Sequence, residues 1–186
     1  YNVVFALAEA GRYGQKTDAG FYKYANGDRT PQPDPFTDDL IEKEAARLGR
    51  ANIATQQGAV EKLPFPDASF DVVASRFSAH HWHDIPAALR EARRVLKPGG
   101  VFAMADLLGN ERPLHNTWLQ SMELMRDPSH ARNLTEAEWR DALGAAGFTV
   151  KHVTARKLRI EYPSWVKRIG TPEPMVQALR ALQGRM

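Results

Sequence analysis

The chain has 186 residues, 43% of them hydrophobic, with a formal net charge of +3 and no cysteine. That is enough apolar material for one buried core, and the missing thiols exclude a disulfide framework, a cysteine nucleophile and a thiolate metal site while suiting a reducing, cytoplasmic compartment. The basic residues lie in small scattered clusters rather than on one face or module, which argues against nucleic acid as a partner, and the longest apolar runs, such as residues 101–105, are too short to span a bilayer.

The chain opens on Tyr1-Asn2 without the basic flank of a secretion signal, so its start reads as an internal boundary. Residues 3–9 read as the end of a helix or strand. Glycines at 11, 14 and 20 then mark turns among the aromatic residues Phe21, Tyr22 and Tyr24. Pro31, Pro33 and Pro35 predict an extended stretch, and a helix follows, capped by Thr37, with Leu40, Ile41, Ala45 and Leu48 as its apolar stripe and Gly49 as its end.

From Asn52 the pattern alternates strands and helices. Residues 53–57 and 70–77 read as strands, 86–96 as a helix stopped by Lys97-Pro98-Gly99-Gly100, and 101–107 as the next strand. Residues 112–125 predict a helix. Thr135 with Glu138 three residues on forms a capping box for another, ending at Gly147. Residues 148–160 read as a strand, and 164–169 and 174–182 as helices. Strand–helix–strand repetition predicts an α/β fold with parallel pairing and helices covering the sheet.

Two resemblances accompany this reading. Gly11-Arg12-Tyr13-Gly14-Gln15-Lys16-Thr17-Asp18-Ala19-Gly20-Phe21-Tyr22-Lys23-Tyr24, with the proline-rich turn and helix after it, resembles the C-terminal domain of 3-hydroxyacyl-CoA dehydrogenases over residues 7–49. That family's nucleotide-binding domain and catalytic residues would lie upstream. Its loop spacing fits neither a P-loop nor a dinucleotide fingerprint.

Gly58-Ala59-Val60-Glu61-Lys62-Leu63-Pro64-Phe65-Pro66-Asp67, Ser75-Arg76-Phe77-Ser78-Ala79-His80-His81-Trp82 and Glu91-Ala92-Arg93-Arg94-Val95-Leu96-Lys97-Pro98-Gly99-Gly100 together resemble class I S-adenosylmethionine-dependent methyltransferases acting on small molecules, of the quinone-biosynthesis-like branch, over residues 52–169. The resemblance implies a partial Rossmann-like methyltransferase sheet with flanking helices, preceded by a loop-and-helix segment. It divides the chain into a segment 1–50 and a truncated methyltransferase-like domain 51–186. The glycine-rich turn that opens such a domain is not found in residues 1–57, so the first strands of the family sheet are expected to be missing and a sheet edge to be available for self-association.

The resemblance also implies a site. S-adenosylmethionine would lie against Ala59, Val60, Arg76 and Phe77, with Ala59 standing where the family usually has an aspartate that accepts from the adenine amine. Val60 is either an apolar neighbour of that ring or a core residue. His80 and His81 are the catalytic candidates, able to orient or deprotonate a hydroxyl or an acidic carbon, because a histidine titrates near neutrality. Trp82, Asp106, Arg126 and His130 are the candidates for contact with a small-molecule substrate. For Asp106 the alternative is a solvated acid at a strand end, and for Arg126 and His130 a surface ion pair. The close spacing of His80, His81 and His83 in a loop, with no fourth ligand in view, argues against zinc. Methyl transfer impaired or absent in this chain alone, a dehydrogenase fragment and a non-catalytic assembly module are the competing functions.

Overall fold

The computed structural model describes residues 34–184, together with Leu7, residues 10–12, 17, 19, 23, 24 and 32. The rest of the glycine-rich stretch, including residues 13–16 and 20–22, and Pro31 and Pro33 lie outside the described residues, so the expectations placed there are not addressed by it. The chain forms two compact units, one of residues 1–57 with 159–186 and one of residues 58–158. The C-terminal helices group with the first unit.

In the first unit, helix α1 (Pro35–Arg47) begins at Asp34 rather than Thr37. The Asp34 carboxylate accepts from the Phe36 N–H at 3.3 Å and also meets the Arg12 guanidinium and, at 3.7 Å, the Lys23 ammonium. Pro35 sits at the first helical position, where its missing N–H costs nothing, so the third proline opens the helix instead of extending the loop. Thr37 is buried in the first turn. Helices α5 (Tyr162–Lys167) and α6 (Glu173–Gln183) bury Trp165, Val166, Val176 and Leu179, and the Tyr162 hydroxyl donates to the Val176 carbonyl at 2.7 Å.

The second unit is built on two parallel strands, β1 (Phe70–Arg76) and β2 (Leu96–Ala105), joined by helix α2 (Ile85–Val95). The register pairs Val72 with Val101 and Arg76 with Ala105, so both strands end at the same level. Helices α3 (Pro113–Arg126) and α4 (Glu136–Ala145) follow. Ala88 and Leu89 of α2, Ala79, Trp82, Leu134 and Trp139 form the core, with Phe102, Met104 and Phe148 packed on it. The other sheet face is open: Val72 is 57% and Val101 56% exposed.

The stretch that matches residues 58–67 is held by α2. Glu91 accepts from the Leu63 N–H at 2.8 Å and from Arg94, whose guanidinium also donates to the carbonyls of Leu63 and Phe65 and to Asp67. Hydrogen bonding by Arg94 holds the Glu91 carboxyl down at about 2. Two charged members of the motif around Glu91 are thus clamps for a loop.

Two expected strands do not form. Residues 53–57 and 148–160 are not paired, and every residue from 151 to 160 is exposed. Neither segment pairs with an outer edge of the two-stranded sheet, and β-like composition alone does not make a strand. The capping box at Thr135 is present, with Glu138 N–H donating to Thr135 Oγ1 at 3.2 Å and Thr135 N–H to Glu138 Oε2 at 2.9 Å. Replacing Thr135 with alanine is expected to cost about 1 kcal/mol, read as a lowered urea midpoint at unchanged slope.

Candidate functional site

Both strands deliver their last residues to one place, where the chain turns out of the sheet. Phe77 takes a left-handed conformation, φ +51°, and its N–H closes the ladder on the Ala105 carbonyl at 2.8 Å. Ser78 then leads into a short 3-10 turn, Ala79–His81. Across from it, Asp106 follows β2 with its side chain only 2% exposed.

That carboxylate is the hub of the site. Its Oδ2 accepts from the backbone N–H groups of Ser78 (3.0 Å) and Ala79 (2.7 Å), and its Oδ1 accepts from the Leu107 N–H (2.8 Å) and from Nδ1 of His80 (2.6 Å). Burial pushes the Asp106 carboxyl up, but the His80 hydrogen bond and charge and the backbone donors outweigh it and hold the group below its ordinary range. When the ring is neutral, a proton on the Nδ1 that faces the Asp106 carboxylate leaves Nε2 as an acceptor.

His81 and His130 pack beside it, with ring centroids 4.2 Å and 5.9 Å from that of His80. His81 Nδ1 lies 3.1 Å from both the carbonyl and the hydroxyl oxygen of Ser129, whose hydroxyl in turn donates to Asp127 at 2.6 Å. Burial and then the neighbouring His80 lower the pKa of His81. Burial, with His80 and His81 adding to it, pushes His130 down to about 4. The segment that carries Ser129 and His130 is tied to the dyad by its backbone, since Ala131 N–H donates to the His80 carbonyl at 2.8 Å.

The fold thus brings His80, His81, Asp106 and His130 together. The Asp106 side chain is only 2% exposed, so it is not a solvated strand-end acid. Arg126 and His130 are 7% exposed, and Arg126 pairs with Glu123, itself 6% exposed, at 3.3 Å. The surface-pair alternative is therefore replaced by a buried pair. Trp82 is placed apart from the dyad, buried in the core and edge-on to Trp139 at 6.4 Å. Val60 is packed against the same core. Arg76 and Phe77 are exposed at the strand end, the guanidinium 4.5 Å above the ring centre. Gln120, Asp127 and Ser129 join this cluster without having been singled out from the sequence. The Asp-Pro-Ser turn carries a signal for two of them, and Gln120, one polar residue in a helix, carries none.

The groups for a sulfonium nucleotide are only partly here. Phe77 offers apolar surface, but Ala59, which the resemblance sets beside the adenine amine, presents a methyl, and its carbonyl already takes the Lys62 N–H at 3.0 Å. Asp106 has its four donors and cannot also hold a ribose. The described residues of this unit do not fit the whole cofactor.

Comparison with known proteins places the chain. A family model described as "Methyltransferase domain" matches residues 25–104. The match begins inside the segment that resembles the dehydrogenase domain, and that resemblance gains no support from it. The chain is 45% identical over 145 residues to the uncharacterized protein YafE of Escherichia coli, covering 78% of this chain and 70% of that one. It is 40% identical over 128 residues to the uncharacterized methyltransferase YcgJ of Bacillus subtilis, 69% of this chain but 51% of that protein. The YcgJ crystal structure superposes with a TM-score of 0.79 at 33% identity, covering 83% of this chain and 66% of that one. Over 67 residues the chain is 43% identical to the ubiquinone/menaquinone biosynthesis C-methyltransferase UbiE of Caulobacter vibrioides, 36% of this chain and 27% of that protein. The chain spans about half to two thirds of YcgJ and 70% of YafE. With this similarity and an α/β fold of parallel strands and flanking helices, the chain belongs to the class I S-adenosylmethionine-dependent methyltransferase domain family.

Proposed function

We propose that this chain carries the acceptor-side half of a small-molecule methyltransferase, with His80 as the base, and that by itself it holds S-adenosylmethionine weakly. The observation that carries the reading is the Asp106–His80 pair at the carboxyl ends of both parallel strands, the place where open α/β sheets receive ligands. His80 Nε2 takes the proton of a substrate hydroxyl or acidic carbon. The imidazolium so formed is stabilised by the Asp106 carboxylate 2.6 Å from Nδ1, which also keeps the ring from turning. His81 and His130, both with lowered pKa, stay neutral and do not compete for that proton.

Family membership and the likeness to UbiE support a small molecule as acceptor. The weak-cofactor part rests on Ala59, which also favours a second reading, a non-catalytic module of the same fold. Calorimetric titration of the folded chain with S-adenosylmethionine and with S-adenosylhomocysteine is expected to show no saturation below about 1 mM, equivalent to about −4 kcal/mol. Tight one-to-one binding would overturn the weak-cofactor reading. Turnover is then measured at several millimolar cofactor across hydroxylated and carbon acceptors. Methylation that His80→Ala abolishes without changing cofactor affinity supports His80 as the base, and no methylation with any acceptor at saturating cofactor leaves the non-catalytic module.

A further inference from the structure

One side of the site has a polar deficit that the dyad does not use. Among the described residues of 58–158, the buried side-chain atoms without a hydrogen-bond partner are Trp118 Nε1, His130 Nδ1, both polar atoms of the Asn133 amide, and Trp139 Nε1 in the core. Four of these five lie on α3 and the segment that follows it. Native proteins leave few such atoms unpaired, so each calls for a partner, and of these residues His130 also lines a recess. A recess of ≈ 300 Å³ opens against the same elements, lined by Asn116, Gln120, Ser121 and Leu124 of α3 and by His130 and Ala131, and every side chain lining it is uncharged.

The hydrogen-bonding character of His130 follows from the backbone. Gln120 Nε2 donates to the Asn133 carbonyl at 2.7 Å, and Gln120 Oε1 accepts from the Asn133 N–H at 3.0 Å. These two contacts fix which end of the Gln120 amide is oxygen. That oxygen faces His130 Nε2 at 2.8 Å, so Nε2 must carry the proton, and Nδ1 is left as a bare acceptor. Burial keeps the ring neutral, since its pKa is pushed down to about 4. A carboxylate or phosphate has nothing to gain from such a ring. A hydroxyl does.

We propose that the recess between α3 and residues 130–131 binds an uncharged, hydroxyl-bearing ligand whose O–H donates to His130 Nδ1. It rests on the methyl-acceptor reading only in making this ligand the methyl acceptor, because the His130 ring lies 5.9 Å from that of His80; the binding itself needs no cofactor. Nδ1 is covered in the unliganded conformation, so the ligand reaches it by displacing the groups that cover it, with the Nε2–Gln120 contact kept. Gln120 is a positioning residue, acting through the His130 tautomer.

The test uses the full chain labelled with ¹⁵N and long-range proton–nitrogen spectra that distinguish the two ring nitrogens. The free protein is expected to show an unprotonated Nδ1 and a protonated Nε2 at His130 from pH 8 to about 5. Phenol is then titrated, with anisole, its methyl ether, and benzoate as controls. Phenol is expected to shift Nδ1 saturably and to bind at least tenfold more tightly than anisole, with benzoate silent. Gln120→Ala, which frees the tautomer, is expected to erase the preference for phenol over anisole, and Gln120→Glu, which keeps an acceptor facing Nε2, to retain it. A protonated Nδ1 in the free protein overturns the proposal. So does equal binding of phenol and anisole, or no saturable shift at all. Because no cofactor is present, phenol binding with failed methylation sinks the methyl-transfer reading alone, and methylation without phenol selectivity sinks this one alone.

Discussion

Asp106→Ala is expected to remove about 3–5 kcal/mol of folding stability, the cost of breaking a buried, fully hydrogen-bonded charge. The alanine leaves the N–H groups of Ser78, Ala79 and Leu107 without the acceptor they share and releases His80 Nδ1. Those three N–H groups lie where both strands leave the sheet, so the loss is felt in the fold as well as in the site. Asp106→Asn separates the two roles. Its one carbonyl oxygen can serve the N–H groups of Ser78 and Ala79, but the amide NH₂ then faces the Leu107 N–H and His80 Nδ1, and His80 must move its proton to Nε2 to accept there. The expected result is a smaller fall in urea midpoint than for alanine, with His80 in the opposite tautomer by ¹⁵N spectra. Equal midpoints for wild type and Asp106→Ala would remove the carboxylate from any part in holding the strand ends.

Much of this hub was legible before the structure. Alternation placed 70–77 and 101–107 as successive strands, and Asp106 stands at the end of the second. The Ser78-Ala79-His80-His81 stretch follows the first, so parallel pairing alone requires the two to meet. What periodicity does not encode is which way the chain turns afterwards. Trp82 shares the polar neighbourhood of His81 in sequence, yet one 3-10 turn carries it into the core against Trp139. Strand propensity at 148–160 misled for a related reason, because pairing is a property of two segments and only one of them was being read. The Asp34 cap was missed because Thr37 is an equally good capping residue; the proline at 35, which fits the first helical turn, was the discriminating signal. Gln120 fixes the His130 tautomer through contacts to residue 133 of a different segment, and no local pattern contains that.

The site is also expected to make the fold acid-sensitive well above the carboxylate range. Unfolded, His130 takes up a proton around 6.5; folded, it resists until about 4. Between those values the unfolded chain binds a proton that the native chain does not, so stability falls as pH drops from about 6.5 and levels off near 4. At about 1.4 kcal/mol per pH unit, reduced for partial solvent screening, His130 contributes a loss of about 2–3 kcal/mol. His81, lowered chiefly by burial, adds to it with the same sign. Glu123 opposes it, because burial raises its carboxyl above 4.5 and the native state gains by taking up that proton. Asp106 does not enter this window: its depressed carboxyl stabilises the fold above 3.8, and that contribution disappears only at lower pH. Urea midpoints at pH 7.5 and 4.5 give the total. The difference between wild type and His130→Gln, which keeps a donor toward Gln120 but cannot titrate, isolates His130. A variant with the same pH slope as wild type would show that the ring is protonated in the native state at acid pH. That would also break the donor–acceptor order that runs from Asn133 through Gln120 to His130, since an imidazolium has no acceptor left to offer a ligand.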